Sequence, residues 1–127
     1  MISRDALTDD QARAAIESGE FGPDVIGAAP AVIVVLTQSW CPQWFVLSRS
    51  LAGLKDGPEG RDLAVFSYEY DRTPMYEPFM RFKEDSWRNW EVPYVRLYAN
   101  GRFLADGNFM SAGRLMDKLR AAPAVPE

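Results

Sequence analysis

Residues 31–36 read Ala-Val-Ile-Val-Val-Leu, an unbroken apolar run dominated by β-branched side chains. A strand with one wet face alternates polar and apolar residues. The lack of alternation here predicts a strand covered on both faces, as central strands of parallel sheets are. The run passes through Thr37, Gln38 and Ser39 into Trp40-Cys41-Pro42-Gln43-Trp44, after which Trp44, Leu47, Leu51 and Leu54 recur at helical spacing. Pro42 suits the first turn of that helix, where an amide hydrogen has no helical partner to lose. Lys55 to Gly60 is turn chemistry, and Leu63 to Tyr70 returns to a strand pattern ending at Asp71, which completes a β-α-β unit.

The flanking segments extend the pattern. Thr8 with Gln11 three residues on is a capping-box signature, and Ala12, Ala15 and Ile16 share a face, which predicts a helix over Leu7 to Gly19. Glu20 to Pro30 carries two Gly and two Pro and reads as a connection. Thr73 and Pro74 mark a turn, and the next helix is expected over Pro78 to Trp87. Val92-Pro93 precedes the run Tyr94 to Tyr98, and Asn100-Gly101 separates it from Arg102 to Ala105. Asn-Gly between two strand patterns is the strongest short-range hairpin signal. Ser111 can cap a last helix with Ala112, Leu115, Met116 and Leu119 on its inner face. Ala121 to Glu127 reads as a frayed tail. The expected architecture is α/β: one domain over residues 1–127 with its core in about 30–120, a mixed four-stranded sheet with helices on both faces, and an extra N-terminal helix.

Composition removes several function classes. The 127 residues contain no histidine and one cysteine, so Cys-His nucleophilic catalysis, imidazole acid-base chemistry, His-based metal sites and an intrachain disulfide are all excluded. Any covalent chemistry runs through Cys41. A net charge of -4 without a Lys/Arg cluster argues against a nucleic-acid partner. The opening Met1-Ile2-Ser3-Arg4-Asp5 lacks the apolar core of a secretory signal, and no apolar run is long enough to span a bilayer. A cytoplasmic protein without a membrane partner is therefore expected.

The element order and three local matches resemble the thioredoxin-like family, as a three-layer sandwich. Trp40-Cys41 directly follows the apolar strand, as in the family's Trp-Cys-Gly-Pro-Cys site. Val92-Pro93 and Asn100-Gly101 stand at the spacing between the family's cis-proline and its Asn-Gly turn. Ser111, Gly113 and Leu115 open the last helix. Cys41-Pro42 is also similar to the Cys-Pro-X-Cys or Cys-Pro-X-Ser site of glutaredoxins. The resemblance implies Cys41 as nucleophile, Trp40, Pro42, Val92 and Pro93 as walls of a substrate groove, and Gly107 with Asn108 on the adjacent loop.

This chain departs from the family at three places: Trp44 replaces the second, resolving cysteine, Val35 stands where thioredoxins carry a buried acid, and Gln38 falls where glutaredoxins carry a lysine. What is implied is a monothiol redox protein performing thiol-disulfide exchange on a protein disulfide or small thiol. It would have no bound cofactor or metal, and glutathione or another low-molecular-weight thiol would serve as co-substrate.

Each feature also has a plainer reading. Cys41 is either a thiolate favoured by a helix N-terminus or a small buried apolar residue. Trp44 either packs with Leu47 and Leu51 or closes over Cys41. Tyr76, Phe79, Met80, Phe82, Trp87 and Trp90 form either an aromatic surface for a partner protein or helix packing. Glu69, Asp71, Arg72 and Arg81 read as a solvated rim. The competing function is a redox-inactive binding module that holds a peptide or partner protein, and a disulfide-linked dimer through Cys41 is a third.

Overall fold

The computed structural model describes residues 1–122. Among them five strands, β1 (Ile2–Ala6), β2 (Ala31–Thr37), β3 (Leu63–Glu69), β4 (Tyr94–Ala99) and β5 (Arg102–Asn108), form one sheet in the order β1-β3-β2-β4-β5. β1 and β2 run parallel to β3, β4 is antiparallel to β2, and β5 is antiparallel to β4. The helices are α1 (Asp9–Ser18), α2 (Pro23–Ile26), α3 (Pro42–Ala52), α4 (Tyr76–Asp85) and α5 (Ala112–Arg120).

β2 is the axis of the fold. Every residue in it is buried, and the two-residue period of a strand divides them between two cores. Val32, Val34 and Leu36 pack with Ala12 and Ala15 of α1, Val25 of α2, and Phe79 and Phe82 of α4. Ala31, Ile33 and Val35 pack with Leu47 and Leu51 of α3 and Leu115, Met116 and Leu119 of α5. The sheet therefore carries α1, α2 and α4 on one face and α3 and α5 on the other, a three-layer α/β sandwich.

Local chemistry sets the element ends. Thr8 and Gln11 exchange side-chain and backbone bonds, each 3.0 Å, and Gly19 ends α1 in the left-handed region at φ 83°. Asn100 and Gly101 both take positive φ, 55° and 76°, as the tight hairpin between β4 and β5 requires. Ser111 Oγ accepts from the Arg114 amide and caps α5.

The sheet has five strands where four are expected. β1 is an edge strand with only Ile2 partly buried, so it lacks the apolar alternation that would reveal it. Its position is fixed instead by pairing with β3 and by Arg4, whose guanidinium donates to the carbonyls of Leu51, Ala52 and Leu54 at the end of α3. The connection after α1 contains the one-turn helix α2, opened by Pro23. α4 starts two residues before Pro78, which sits in the first turn where its missing N–H costs no helical bond, and it ends at Asp85 rather than Trp87. Of the tail expected to fray, residues 123–127 lie outside the described residues. No helix among those described is long and apolar enough to cross a membrane.

Candidate functional site

Cys41 is the N-cap residue of α3, reached from the end of β2 through Gln38, Ser39 and Trp40, and Pro42 is the first residue of the helix. The thiol is buried, 2% exposed. Its Sγ lies 3.4 Å from Gln43 Oε1 and 3.6 Å from the carbonyl oxygen of Val92. Both neighbours are acceptors, and one S–H can serve only one of them at a time. The Val92–Pro93 peptide is cis and forms the wall opposite the sulfur.

A groove of about 480 Å³ lies next to these residues, between α3 and the start of α5. Pro42, Gln43, Val46, Leu47 and Ser50 line one side, and Pro93, Phe109, Met110, Ser111 and Ala112 line the other, with no charged side chain among them. Trp40, Phe45, Val46 and Phe109 are each more than half exposed. Val46 and Phe109 thus bring exposed apolar side chains to the groove from its two sides. Phe109 has φ 60°, a region that bulky side chains avoid. Backbone strain of this kind persists where the surroundings enforce it and concentrates at binding sites. Replacing Phe109 with Gly is expected to leave stability within about 1 kcal/mol of wild type, because relief of the left-handed backbone offsets the lost ring contacts. Urea unfolding checks this; a buried phenylalanine would cost about 3–5 kcal/mol on truncation.

Two carboxylates expected to form a solvated rim instead fasten this site. Asp71 accepts from the Ser39 amide at 2.8 Å and from Ser39 Oγ at 2.7 Å, and so anchors the loop that delivers Cys41. Glu69 accepts from Trp44 Nε1 at 2.8 Å. Trp44 packs beside Leu47 and Leu51 in the aliphatic core, so the inward reading of this residue describes the structure. The β2–β3 register accounts for the first of these contacts: Thr37 pairs with Glu69 in a parallel ladder, so residues two further on, Ser39 and Asp71, emerge side by side. Arg72 lies 3.9 Å from Glu69 and Arg81 is 3.7 Å from Glu77, both as exposed pairs.

Gln38 links two aromatic groups: its Oε1 accepts from Trp40 Nε1 at 2.6 Å, and its Nε2 donates to the Tyr70 hydroxyl at 3.4 Å. Burial pushes the Tyr70 phenol up from its ordinary range. Val35 is fully buried among aliphatic residues, so no carboxylate occupies that position. The Asn108 side chain is engaged by the loop beside it: Nδ2 donates to the Pro93 carbonyl at 2.9 Å and the Glu91 carbonyl at 3.2 Å, and Oδ1 accepts from Asn89 Nδ2 at 2.7 Å. Gly107 approaches Met110 so closely that a Cβ there would stand 2.9 Å from Met110 Cε. Of the aromatic segment, Phe79 and Phe82 are buried, and Met80 and Trp87 pack against the core. Tyr76 and Trp90 remain exposed. No group of three or more Cys, Asp or Glu that could hold a metal occurs among the described residues.

No family model matches the sequence, and the search of curated proteins returns no match. Solved structures do match. The Trxlp protein of Edwardsiella tarda EIB202 is 24% identical, with a TM-score of 0.57 over 92% of this chain and 98% of that one. Thioredoxin O1 from Arabidopsis thaliana aligns at TM-score 0.62 with 9% identity, over 91% of this chain and 93% of that one. A mutant thioredoxin from Halobacterium salinarum NRC-1 aligns at 0.59 with 16% identity, over 98% and 94%. Each superposition covers more than nine tenths of this chain, and the chain has the thioredoxin fold.

Proposed function

We propose that this protein is a monothiol thiol-disulfide exchanger of the thioredoxin fold, with Cys41 as its nucleophile. The observation that carries the reading is the sulfur at the N-cap of α3, facing the Val92 carbonyl, with the neighbouring Pro42 and Pro93 lining an uncharged groove. A substrate disulfide would lie between Trp40 and Pro42 on one side and Val92 and Pro93 on the other, with Asn108 propping that second wall. The Cys41 thiol loses its proton to solvent, and the thiolate attacks one sulfur of the disulfide R–S–S–R′. The old S–S bond breaks as the Cys41–S–S–R bond forms, and R′S⁻ leaves and takes up a proton.

Trp44 stands where a resolving thiol would be needed, and Cys41 is the sole cysteine. Release therefore falls to an external thiol such as glutathione, which attacks the mixed disulfide, carries away R in a new disulfide and restores the Cys41 thiol. The apolar groove favours a disulfide borne by a polypeptide. Incubation with a disulfide-containing peptide is expected to give a mixed disulfide visible by mass spectrometry, cleared by glutathione and absent in Cys41→Ser. An inert native thiol, with ordinary reactivity appearing only after unfolding in urea, would overturn the proposal.

The near-complete burial of Cys41 favours a second reading, a thioredoxin-fold binding module that uses Trp40, Phe45, Val46 and Phe109 to hold a partner protein without redox turnover. Partner binding unchanged by Cys41→Ser but weakened by Phe109→Gly would support it.

A further inference from the structure

Lys83 is a lysine inside the protein. It lies on α4, is 1% exposed, and has its Nζ 5.7 Å from the centre of the Tyr94 ring. Taking an ammonium out of water is costly, and a Met of similar length would fill the same space without that cost. Besides facing the Tyr94 ring, the cation makes one hydrogen bond: Nζ donates to the backbone carbonyl of Asn89 at 2.9 Å, and the Asn89 amide in turn donates to the Lys83 carbonyl at 3.2 Å. The carboxylates that act on it are Glu84, its neighbour on α4, and Glu91, in the loop that Lys83 holds. From the sheet side it faces Tyr94, whose hydroxyl is bound to Asp106 and to Arg96.

The chain of contacts continues beyond Asn89. The side chains of Asn89 and Asn108 form a reciprocal amide pair at 2.7 and 3.2 Å. Asn108 Nδ2 shares its two hydrogens between Asn89 Oδ1 and the carbonyls of Glu91 and Pro93, the residues on either side of Val92, with the Pro93 contact the shortest at 2.9 Å. The Glu91 amide closes the loop onto Asn89 Oδ1 at 3.3 Å. The carbonyl between those two held groups, that of Val92, is the one that meets Cys41 Sγ.

We propose that Lys83 is a positioning residue for the Cys41 site, acting through Asn89 and Asn108 to hold the Val92 carbonyl against the sulfur. The proposal rests on Cys41 being the reacting group of the exchange reading. α4 contributes no side chain to the groove itself, so this is its connection to the chemistry. Loosening the loop exposes the sulfur and withdraws an acceptor from its S–H, and both changes favour attack by a small reagent.

The test is a double-mutant cycle on the full chain with Lys83→Met, Asn108→Ala and the pair, reading iodoacetamide alkylation of native Cys41 at neutral pH. Each single variant is expected to react about tenfold faster, the factor that one lost charged hydrogen bond at Lys83, or the lost neutral amide bonds of Asn108 together, make in the population of an opened loop. The double variant should react no faster than the faster single one, because both act on one loop. In Lys83→Met the side-chain amide hydrogens of Asn108, followed by NMR, should exchange faster with solvent, a change that loosened α4 packing alone would not produce. Should Lys83→Met fail to fold, Lys83→Gln with Asn108→Ala completes the cycle. Rates within twofold of wild type, rates that multiply in the double variant, an unaltered Asn108 amide, or a Cys41 unreactive in all the proteins would each overturn the proposal. Faster alkylation in the variants with no mixed disulfide formed by any of them would sink the exchange reading while leaving the positioning role intact.

Discussion

Arg96→Ala is expected to lower the unfolding free energy by about 3–5 kcal/mol, against the roughly 5–15 kcal/mol that folded proteins commonly have. The guanidinium is buried on β4. It donates to the Tyr98 hydroxyl at 2.8 Å, the Tyr94 hydroxyl at 2.9 Å and Glu20 Oε2 at 2.6 Å. It also lies between two rings, 4.1 Å from the centre of Trp87 and 4.3 Å from that of Phe103. Truncation removes the cation from two carboxylate-bound phenols, since Tyr98 also donates to Glu20 and Tyr94 to Asp106, each at 2.6 Å. It leaves Glu20 without its counter-charge and opens a cavity between the rings. Arg96→Met fills part of that cavity and should cost less. Urea midpoints at constant m distinguish the two; equal stability of Arg96→Ala and wild type would show that the cluster is inert.

The pH dependence should be as large, with opposite slopes on either side of about pH 10. Burial lowers the Lys83 ammonium from 10.5 to about 8, against the opposing pull of Glu84 and Glu91. Between those values the unfolded chain holds a proton that the folded chain has released, so stability rises with pH across the window, by at most roughly 3 kcal/mol. Burial raises the phenols of Tyr70, Tyr94 and Tyr98, and that of Tyr68 to about 12. A phenol raised in the folded state contributes stability below its unfolded value near 10, and that stability is lost as pH climbs past it. Urea unfolding from pH 7 to 11 should therefore rise and then fall. In Lys83→Met the rise should disappear and the alkaline fall remain; a rise of the same size in that variant would assign it to another group.

Much of the fold could be read from the sequence because its central element is two-sided. A strand with no polar residue from 31 to 36 has only one environment available, and its covering helices follow from their own periodicity. The Asn-Gly hairpin and the Ser111 cap are local signals that tertiary contacts had no reason to override, whereas the cis form of Val92-Pro93 was implied by the family resemblance alone. β1 escaped because an exposed edge strand is specified by its neighbour's open backbone groups rather than by its own side chains.

The site was legible in its walls and hidden in its supports. Cys41, Val92 and Pro93 come together as the motif implies. Asp71 and Asn108 read as polar loop residues, yet each is committed to backbone groups that no periodicity reveals. Arg96 shares a strand face with Tyr94 and Tyr98, and its partner Glu20 lies in a segment that reads as a connection. Pairs so far apart in sequence become visible only once the layers are stacked.

The two faces of the sheet also differ optically. Phe21, Phe66, Tyr68, Tyr70, Phe79, Phe82, Tyr94, Tyr98 and Trp87 all belong to the core under α1, α2 and α4, whereas the core under α3 and α5 is aliphatic apart from the partly buried Trp44. Near-ultraviolet circular dichroism will therefore report on one layer almost exclusively. The emission of Trp44, isolated by replacing the other three tryptophans, would follow the layer that carries Cys41, so loosening of either half could be watched without labelling the chain.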